Sequence, residues 1–566
     1  MDKSLRINMS LGKETPASSF TPAMHLSRLH LLAGLALSAS LVTTVPALAQ
    51  DLELKDSAIQ QIKAMQREKS TRTPAQKKMS SKLVYALKAK RGDLQISQLP
   101  SLRSQVREID DQVEVDIRAD VDDALLARIE ALGGKVINSH PRFNMVRATL
   151  PLESLEILAE SDKIKNIRQA DKMYLNKIDT SEGDIAHRAD WVKTNNFKVD
   201  GTGQKVCVLS DSVDALNDLQ VSGDLPPVVN ILPDQDGIPG SSEGTAMLEI
   251  VYDLAPGANL YFATAIGGQA QFAQNIIDLH TVFGCTVMVD DVGYFAEAVF
   301  QDGIVAAAVN QVTAAGVLYF SAAGNSGNLN DGTSGVWQGN FAGMAGPPGV
   351  VGLDVQDFGG GVNANTITLD SPSRFTLQWS DPQGASSNDY DLFLMNPGLT
   401  EILDTGDDFQ DGTQDPFESI DSEGWDDLGN VLLIVKYEEP GLVTEDRFMH
   451  LNTHRGRLAI GTDGQTSGHS AAADAFSVAA VDWFKGSLTP APFDGTESVE
   501  TFSSDGPRRI FFDEDGSPIT PDNFLAGGGT IRQKPDIAAA NQVSTATPGF
   551  NPFAGTSAAA PHAAAI

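Results

Sequence analysis

The run Gly555-Thr556-Ser557-Ala558-Ala559-Ala560-Pro561-His562 predicts a loop that turns into a helix. Thr556 or Ser557 can cap its start, and the alanines favour the turns that follow. Pro561 is tolerated if the helix begins at about Ser557, because the first amides of a helix have no intrahelical partner to lose. That places the Ser557 hydroxyl at a helix N-terminus, where orphan amides and the helix dipole favour negative charge. A serine there can become an alkoxide-like nucleophile. The plain alternative is a small-residue helix start packed against a neighbour.

Acyl transfer from a serine also needs a base, a group that orients the base, and donors for the oxyanion. Ser241-Ser242-Glu243-Gly244-Thr245 leads into a helix over 246–254, stopped by Pro256-Gly257. Ala246, Met247, Ile250, Val251 and Leu254 share one face, and helical spacing puts Glu243 on that face. Glu249 and Asp253 point elsewhere. A carboxylate on the buried side of a helix start is costly unless something compensates it; capping is the alternative. The buried strand over 204–209 ends in Ser210-Asp211-Ser212, and open α/β sheets build their sites at such carboxyl ends. Asp211 read alone is a turn residue. Ala322-Ala323-Gly324-Asn325-Ser326-Gly327 follows another strand and reads as a turn.

The elements that must position these residues alternate. Strands over 260–265, 286–289 and 317–322 are separated by helices over 270–281 and 302–315, which implies an α/β fold with a mostly parallel sheet covered on both faces. The rhythm breaks over 356–465. Short strands at 375–379, 391–394, 431–437 and 457–461, separated by Asp/Gly-rich loops such as 404–415, predict an inserted β-sandwich. Those loops show no regular calcium motif and are expected as solvated turns, with structural calcium the alternative. The α/β pattern returns at 473–482. Upstream, a strand–helix–strand–strand–helix–strand order over 111–184 predicts a small α+β module. Residues 50–110, with a basic cluster from Lys63 to Arg91, read as a polar linker, helical or disordered, with a solvated charged face.

With 566 residues, two to four modules are expected, and 41% hydrophobic residues suffice for full cores. A net charge of −33 and a pI near 4.5 argue against nucleic acid as a partner. Arg28 and His30 precede an apolar run over 31–45 that ends in Ala47-Leu48-Ala49, the layout of a secretory signal peptide over 1–49 cleaved before Gln50, with Met24 as the initiator. No other segment is long enough to span a bilayer. A secreted or periplasmic location follows. Cys207 and Cys285 both lie in apolar runs and are expected as buried free thiols.

The eight-residue serine run closely resembles the nucleophile motif of the subtilisin-like serine proteases. Asp211 matches that family's aspartate motif, and Gly324-Asn325-Ser326-Gly327 its oxyanion asparagine motif, all in the family's chain order. The strand region at 473–482, with Thr501 to Pro507 and Lys534-Pro535-Asp536-Ile537, extends the likeness over roughly 185–566 apart from the insert. The resemblance implies a subtilisin-like fold in two parts (185–355 and 466–566), an inhibitory propeptide over 111–184, and a linker over 171–189 cut during maturation. Against the length of the family's serine helix, the stop at Ile566 is expected to be a truncation. The family carries His-Gly-Thr after the aspartate; here the triplet is Glu243-Gly244-Thr245. Neither His280, in a separate helix, nor His562, in the serine motif itself, replaces it. Glutamate in that place resembles the sedolisins, although Met247 stands where they place a partner aspartate.

The implied assignment is Ser557 as nucleophile, Glu243 as base, Asp211 as its partner and Asn325 as oxyanion donor. Asp291 and Gly293 end the strand that, by resemblance, lines the substrate cleft; Asp291 would favour basic side chains or join the proton network. Two close carboxyls in a poorly hydrated site cannot both ionise cheaply, so they titrate as a pair. The expected activity is that of a serine endopeptidase acting on protein or peptide substrates, held by its own propeptide, with no metal or cofactor in the chemistry. The alternative is a catalytically inactive relative kept as a binding scaffold, with the His-to-Glu change as the lesion.

Overall fold

Seven strands form one wholly parallel sheet: β1 (Lys205–Ser210), β2 (Val229–Ile231), β3 (Asn259–Thr264), β4 (Val287–Asp290), β5 (Leu318–Ala322), β6 (Phe476–Asp482) and β7 (Ile537–Asn541). They lie in the order β2-β3-β1-β4-β5-β6-β7. The computed structural model describes residues 54–93, 106, 108–109, 111–171, 173–175, 181–195, 197–345, 354–437, 444–484 and 489–566. The signal-peptide reading, with Met24, lies outside these residues, as do Lys172 and residues 176–180 of the linker.

The strand order reverses at β1, and the sheet is covered on both faces, as its β-strand–helix alternation dictates. Helices α1 (Glu243–Leu254) and α4 (Thr556–Ala565) share one core with Val206, Val208, Phe262 and Val289. Helices α2 (Gln269–Phe283) and α3 (Ile304–Ala314) pack on the other face with Cys207, Leu209 and Met288. Side chains alternate along a strand, so β1 and β4 each supply both cores.

Cys207 and Cys285 form a disulfide across 78 residues, with Cα atoms 6.1 Å apart. This corrects the expectation of two free thiols. Cys207 points into the same core that Cys285 enters from the turn after α2, a proximity that two separate apolar runs do not reveal.

Upstream, Lys135–His140, Met145–Leu150, Val113–Ala119 and Ile164–Gln169 form an antiparallel sheet in that spatial order, with helices Asp123–Ala131 and Leu152–Ala159. Residues 54–93 are not a solvated arm. Helices Asp56–Ser70 and Ser81–Lys90 bury Ile59, Ile62, Met65, Leu83 and Leu87, and even Lys69 is fully buried. Lys69 is drawn inward by Asp389 and Asp391, 320 and 322 residues away, which a local reading of charge cannot see.

Between β5 and β6, two antiparallel sheets pack face to face. One comprises Val336–Asn340, Phe448–Asn452, Arg374–Trp379 and Phe417–Asp421; the other includes Val431–Lys436, Tyr390–Met395 and Asn365–Leu369. Their shared core contains Trp337, Trp379, Leu392 and Ile434. The first strand begins at Val336, upstream of the expected boundary at 356. No helix among the described residues is long and apolar enough to cross a membrane.

Removing the disulfide by Cys207→Ala with Cys285→Ala is expected to lower unfolding stability by about 2–4 kcal/mol, read from urea denaturation. An unchanged midpoint would show that the link contributes nothing.

Candidate active site

The carboxyl ends of β1 and β4 bring three carboxyls together. Register pairs Leu209 with Asp290 on adjacent parallel strands, so Ser210 and Asp291 stand at the same level. Val287, Val289 and then Asp291 alternate toward the α1/α4 face; Met288 and Asp290 face the other side. Asp291 is fully buried and interacts with Ser210 and with Glu243, also fully buried at the first position of α1. Burial first, and then the charge of nearby Asp211, pushes the Asp291 carboxyl up to about 8. Contact between two buried carboxyl groups is attractive only when a proton lies between them.

Asp211 Oδ1 accepts from the Ser212 amide at 2.5 Å and from the Gly244 amide at 3.1 Å, which fixes it against the start of α1. Thr264 donates to the Asp211 carbonyl at 2.6 Å and braces the turn. A Cβ on Gly244 would fall 2.5 Å from the Phe262 ring and 2.6 Å from the Ser212 carbonyl oxygen, so the close approach of α1 to this turn requires glycine. Glu249, expected to point away from the core face, does so but is also buried, accepting from Thr547 Oγ1 at 2.9 Å.

Ser557 is fully buried at the second position of α4, and Gly555 precedes the helix with φ +98°. The helix starts one residue earlier than expected, at Thr556, and Pro561 lies inside it. Pro561 therefore cannot donate to the Ser557 carbonyl, the acceptor one turn back. Thr556 donates from both its amide and its hydroxyl to Asn325 Oδ1, each at 2.9 Å, and its Oγ1 accepts from the Gly324 amide at 3.1 Å. With Oδ1 so engaged as acceptor, the Nδ2 group is the remaining donor of the Asn325 amide. Helices α1 and α4 share one core, and Glu243 and Ser557 both stand at helix starts on that face of the sheet.

The imidazoles are engaged elsewhere. His562 faces the Ala558 carbonyl at 2.6 Å, and burial pushes it down to about 3. His280 Nδ1 lies 3.2 Å from the Cys285 carbonyl. His469, which sequence reasoning missed, is buried with Nε2 3.0 Å from Asp290 and Nδ1 2.8 Å from Glu297. Burial alone would lower it, but these two carboxylates hold it well above the usual histidine range. Asp290 also accepts from Ser321 at 2.9 Å. The imidazolium thus neutralises the carboxylate beside Asp291 on the opposite face. No local pattern marks His469, because its partners come from β4 and the loop after it.

Gly293 lies in the short strand Val292–Tyr294, which pairs antiparallel with Met173–Leu175; Gly293 stands opposite Tyr174. The tail of the upstream module is therefore laid along the segment that follows the buried acids. Among the described residues no group of His, Cys, Asp or Glu is arranged to hold a metal ion.

No family model matches the chain, and no curated protein matches it. Among solved structures it is similar to fervidolysin from Fervidobacterium pennivorans, a keratinolytic enzyme related to subtilisin, at 13% identity and a TM-score of 0.34, covering 82% of this chain and 55% of fervidolysin. It is also similar to the epidermin leader peptide processing serine protease of Staphylococcus aureus, at 14% identity and a TM-score of 0.27, covering 39% of this chain and 62% of that protein. The chain thus spans less than two thirds of the length of either. Likeness at this level leaves the functional reading to the residues themselves.

Asp291 is held protonated in the fold, with its pKa raised from 3.8 to about 8. Its stabilising effect is therefore complete below pH 3.8 and is lost as pH rises through about 8. Asp291→Asn is expected to gain stability relative to wild type between pH 5 and 9, by about 1.4 kcal/mol per unit of pKa shift relieved. A constant gap in melting temperature from pH 4 to 9 would contradict this.

Proposed function

We propose that the protein is a secreted serine endopeptidase of subtilisin-like fold, with a sedolisin-like glutamate as its base and its upstream module as an inhibitory propeptide. The observation that carries this reading is the strand Met173–Leu175, added to Val292–Tyr294, the segment that directly follows the buried acids Asp290 and Asp291. Extended peptides bind enzymes and receptors by such strand addition, main chain to main chain. A cut within 171–190 would free the cleft. Protein or peptide substrates take the same place. The disulfide accords with an oxidising compartment.

In this reading ionised Glu243 takes the Ser557 proton as Oγ attacks the peptide carbonyl carbon. The Asn325 Nδ2 group and the Ser557 amide receive the oxyanion. The tetrahedral intermediate collapses, the C–N bond breaks, and Glu243 returns the proton to the leaving amine. Water then repeats the sequence on the acyl-enzyme. Asp211 fixes the start of α1, and protonated Asp291 donates to Glu243, which holds that carboxylate in place without adding a second charge. Asp291 serves the proton network rather than a basic substrate side chain, because it is fully buried. The chemistry requires no cofactor.

Incubation of the full-length chain from pH 3 to 9, followed by N-terminal sequencing, tests the reading. Cleavage within 171–190 is expected on the acid side, falling away as pH passes about 8, where Asp291 ionises. Ser557→Ala should abolish it. Glu243→Gln should slow it by about 10²- to 10⁴-fold, and Asn325→Ala by about 10²- to 10³-fold. Activity that peaks at alkaline pH and survives Glu243→Gln rules the mechanism out. An inert Ser557 at every pH points instead to a binding scaffold.

A further inference from the structure

The outer face of the insert's second sheet is covered by the N-terminal arm. Along Tyr390–Met395 the even positions Leu392 and Leu394 fill the core between the two sheets, while Phe393 and Met395 face outward. Val431, Leu433 and Val435 do the same in the neighbouring strand. Against this outward apolar face lie Leu54 and, from the helix Asp56–Ser70, Ala58, Ile59, Ile62 and Met65. Strands apolar on both faces are strands covered on both faces.

The parity that sends Phe393 outward also sends Asp391 and Asp389 to that side. Lys69 Nζ stands between them, 2.8 Å from Asp389 Oδ1 and 2.7 Å from Asp391 Oδ1. The Tyr437 ring lies 4.5 Å from the ammonium and the Phe409 ring 5.8 Å. Both the lysine and the two acids are shut off from solvent. One turn on, Arg72 pairs with Glu68 at 2.7 Å and lies 3.6 Å from Asp407, which also accepts from Tyr85. The next helix, Ser81–Lys90, belongs to the upstream module, with Leu83, Val84 and Leu87 in that module's core. The arm therefore ties the module to the insert, at a site separate from its contact with the α/β domain.

We propose that the insert is the receptor for the N-terminal module: its outer sheet face and the Asp389/Asp391 ammonium socket hold residues 54–91 as a noncovalent partner after the chain is cut. The proposal rests on the reading that a cut separates the module from the α/β domain. A surface that pairs an apolar sheet face with an aromatic-lined acidic socket fits an amphipathic helix carrying a buried lysine, and the arm supplies one. Removing Lys69 leaves two buried carboxylates facing each other, so the hold fails far beyond the loss of one contact.

Hydrogen exchange on the intact full-length Ser557→Ala chain reads the docking directly. Adding Lys69→Ala is expected to speed amide exchange in Asp56–Ser70 by about a hundredfold or more, while Val113–Ala119 keeps its protection. n-Butylammonium should restore the protection and 1-butanol should not. Unchanged exchange, or equal rescue by the alcohol, overturns the anchor. The same Ser557→Ala chain, nicked within 171–190 by added trypsin, should keep its N-terminal fragment on gel filtration, and the Ser557→Ala/Lys69→Ala chain should lose it. Retention in both, or in neither, overturns the receptor. Because trypsin makes the cut and Ser557 is replaced, these results stand whether or not the chain is itself a peptidase.

Discussion

Two buried carboxyl groups brought together, one of them with its pKa raised to about 8, are the constraint on which the candidate site depends. Glu243 and Asp291 meet in a fully buried place that neither could enter as a bare anion beside the other. The sheet makes the meeting possible. Parallel register sets Asp291 level with Ser210, and the α1 helix start delivers Glu243 to the same face. On the opposite face Asp290 is neutralised by His469, so the acid that ends β4 and the one directly after it have opposite fates. One is paired with a cation; the other keeps its hydrogen.

Much of this was legible from residues alone. Glu243 reads as buried because helical spacing aligns it with Ala246, Met247 and Ile250, and burial of that face is a local property of α1. The parallel sheet is legible because each strand is a short apolar run separated by an amphipathic helix. His469 and the disulfide were not legible. Their partners lie on elements distant in sequence, and only packing around the sheet brings them within reach. The arm failed for a related reason: Lys69 looks solvated until the sheet that buries it is in place. Charge pattern reports what a segment carries and not what waits for it elsewhere in the chain.

The insert and the α/β domain grip the upstream module in different ways. On the α/β domain the grip combines main-chain pairing through Met173–Leu175 with polar side chains, Asn138 donating to the Gly267 carbonyl at 3.0 Å and Gln269 to Asp171 at 3.0 Å. On the insert it is specific, built from Lys69 and an apolar helix face. On the proposed reading, the strand beside Val292–Tyr294 would block the cleft as a substrate would occupy it, and the ionic anchor would decide whether the blocking piece stays nearby once its covalent link is cut.

The protonated state of Asp291 is open to direct observation. Infrared titration of the full-length Ser557→Ala chain should show the C=O stretch of a neutral carboxylic acid that persists as pH rises to about 8, where the raised Asp291 pKa places its loss. Asp291→Asn should remove that band. A spectrum in which every neutral carboxyl band has vanished by pH 6, or one that Asp291→Asn leaves unchanged, would contradict a protonated acid at this position and with it the carboxyl-based site.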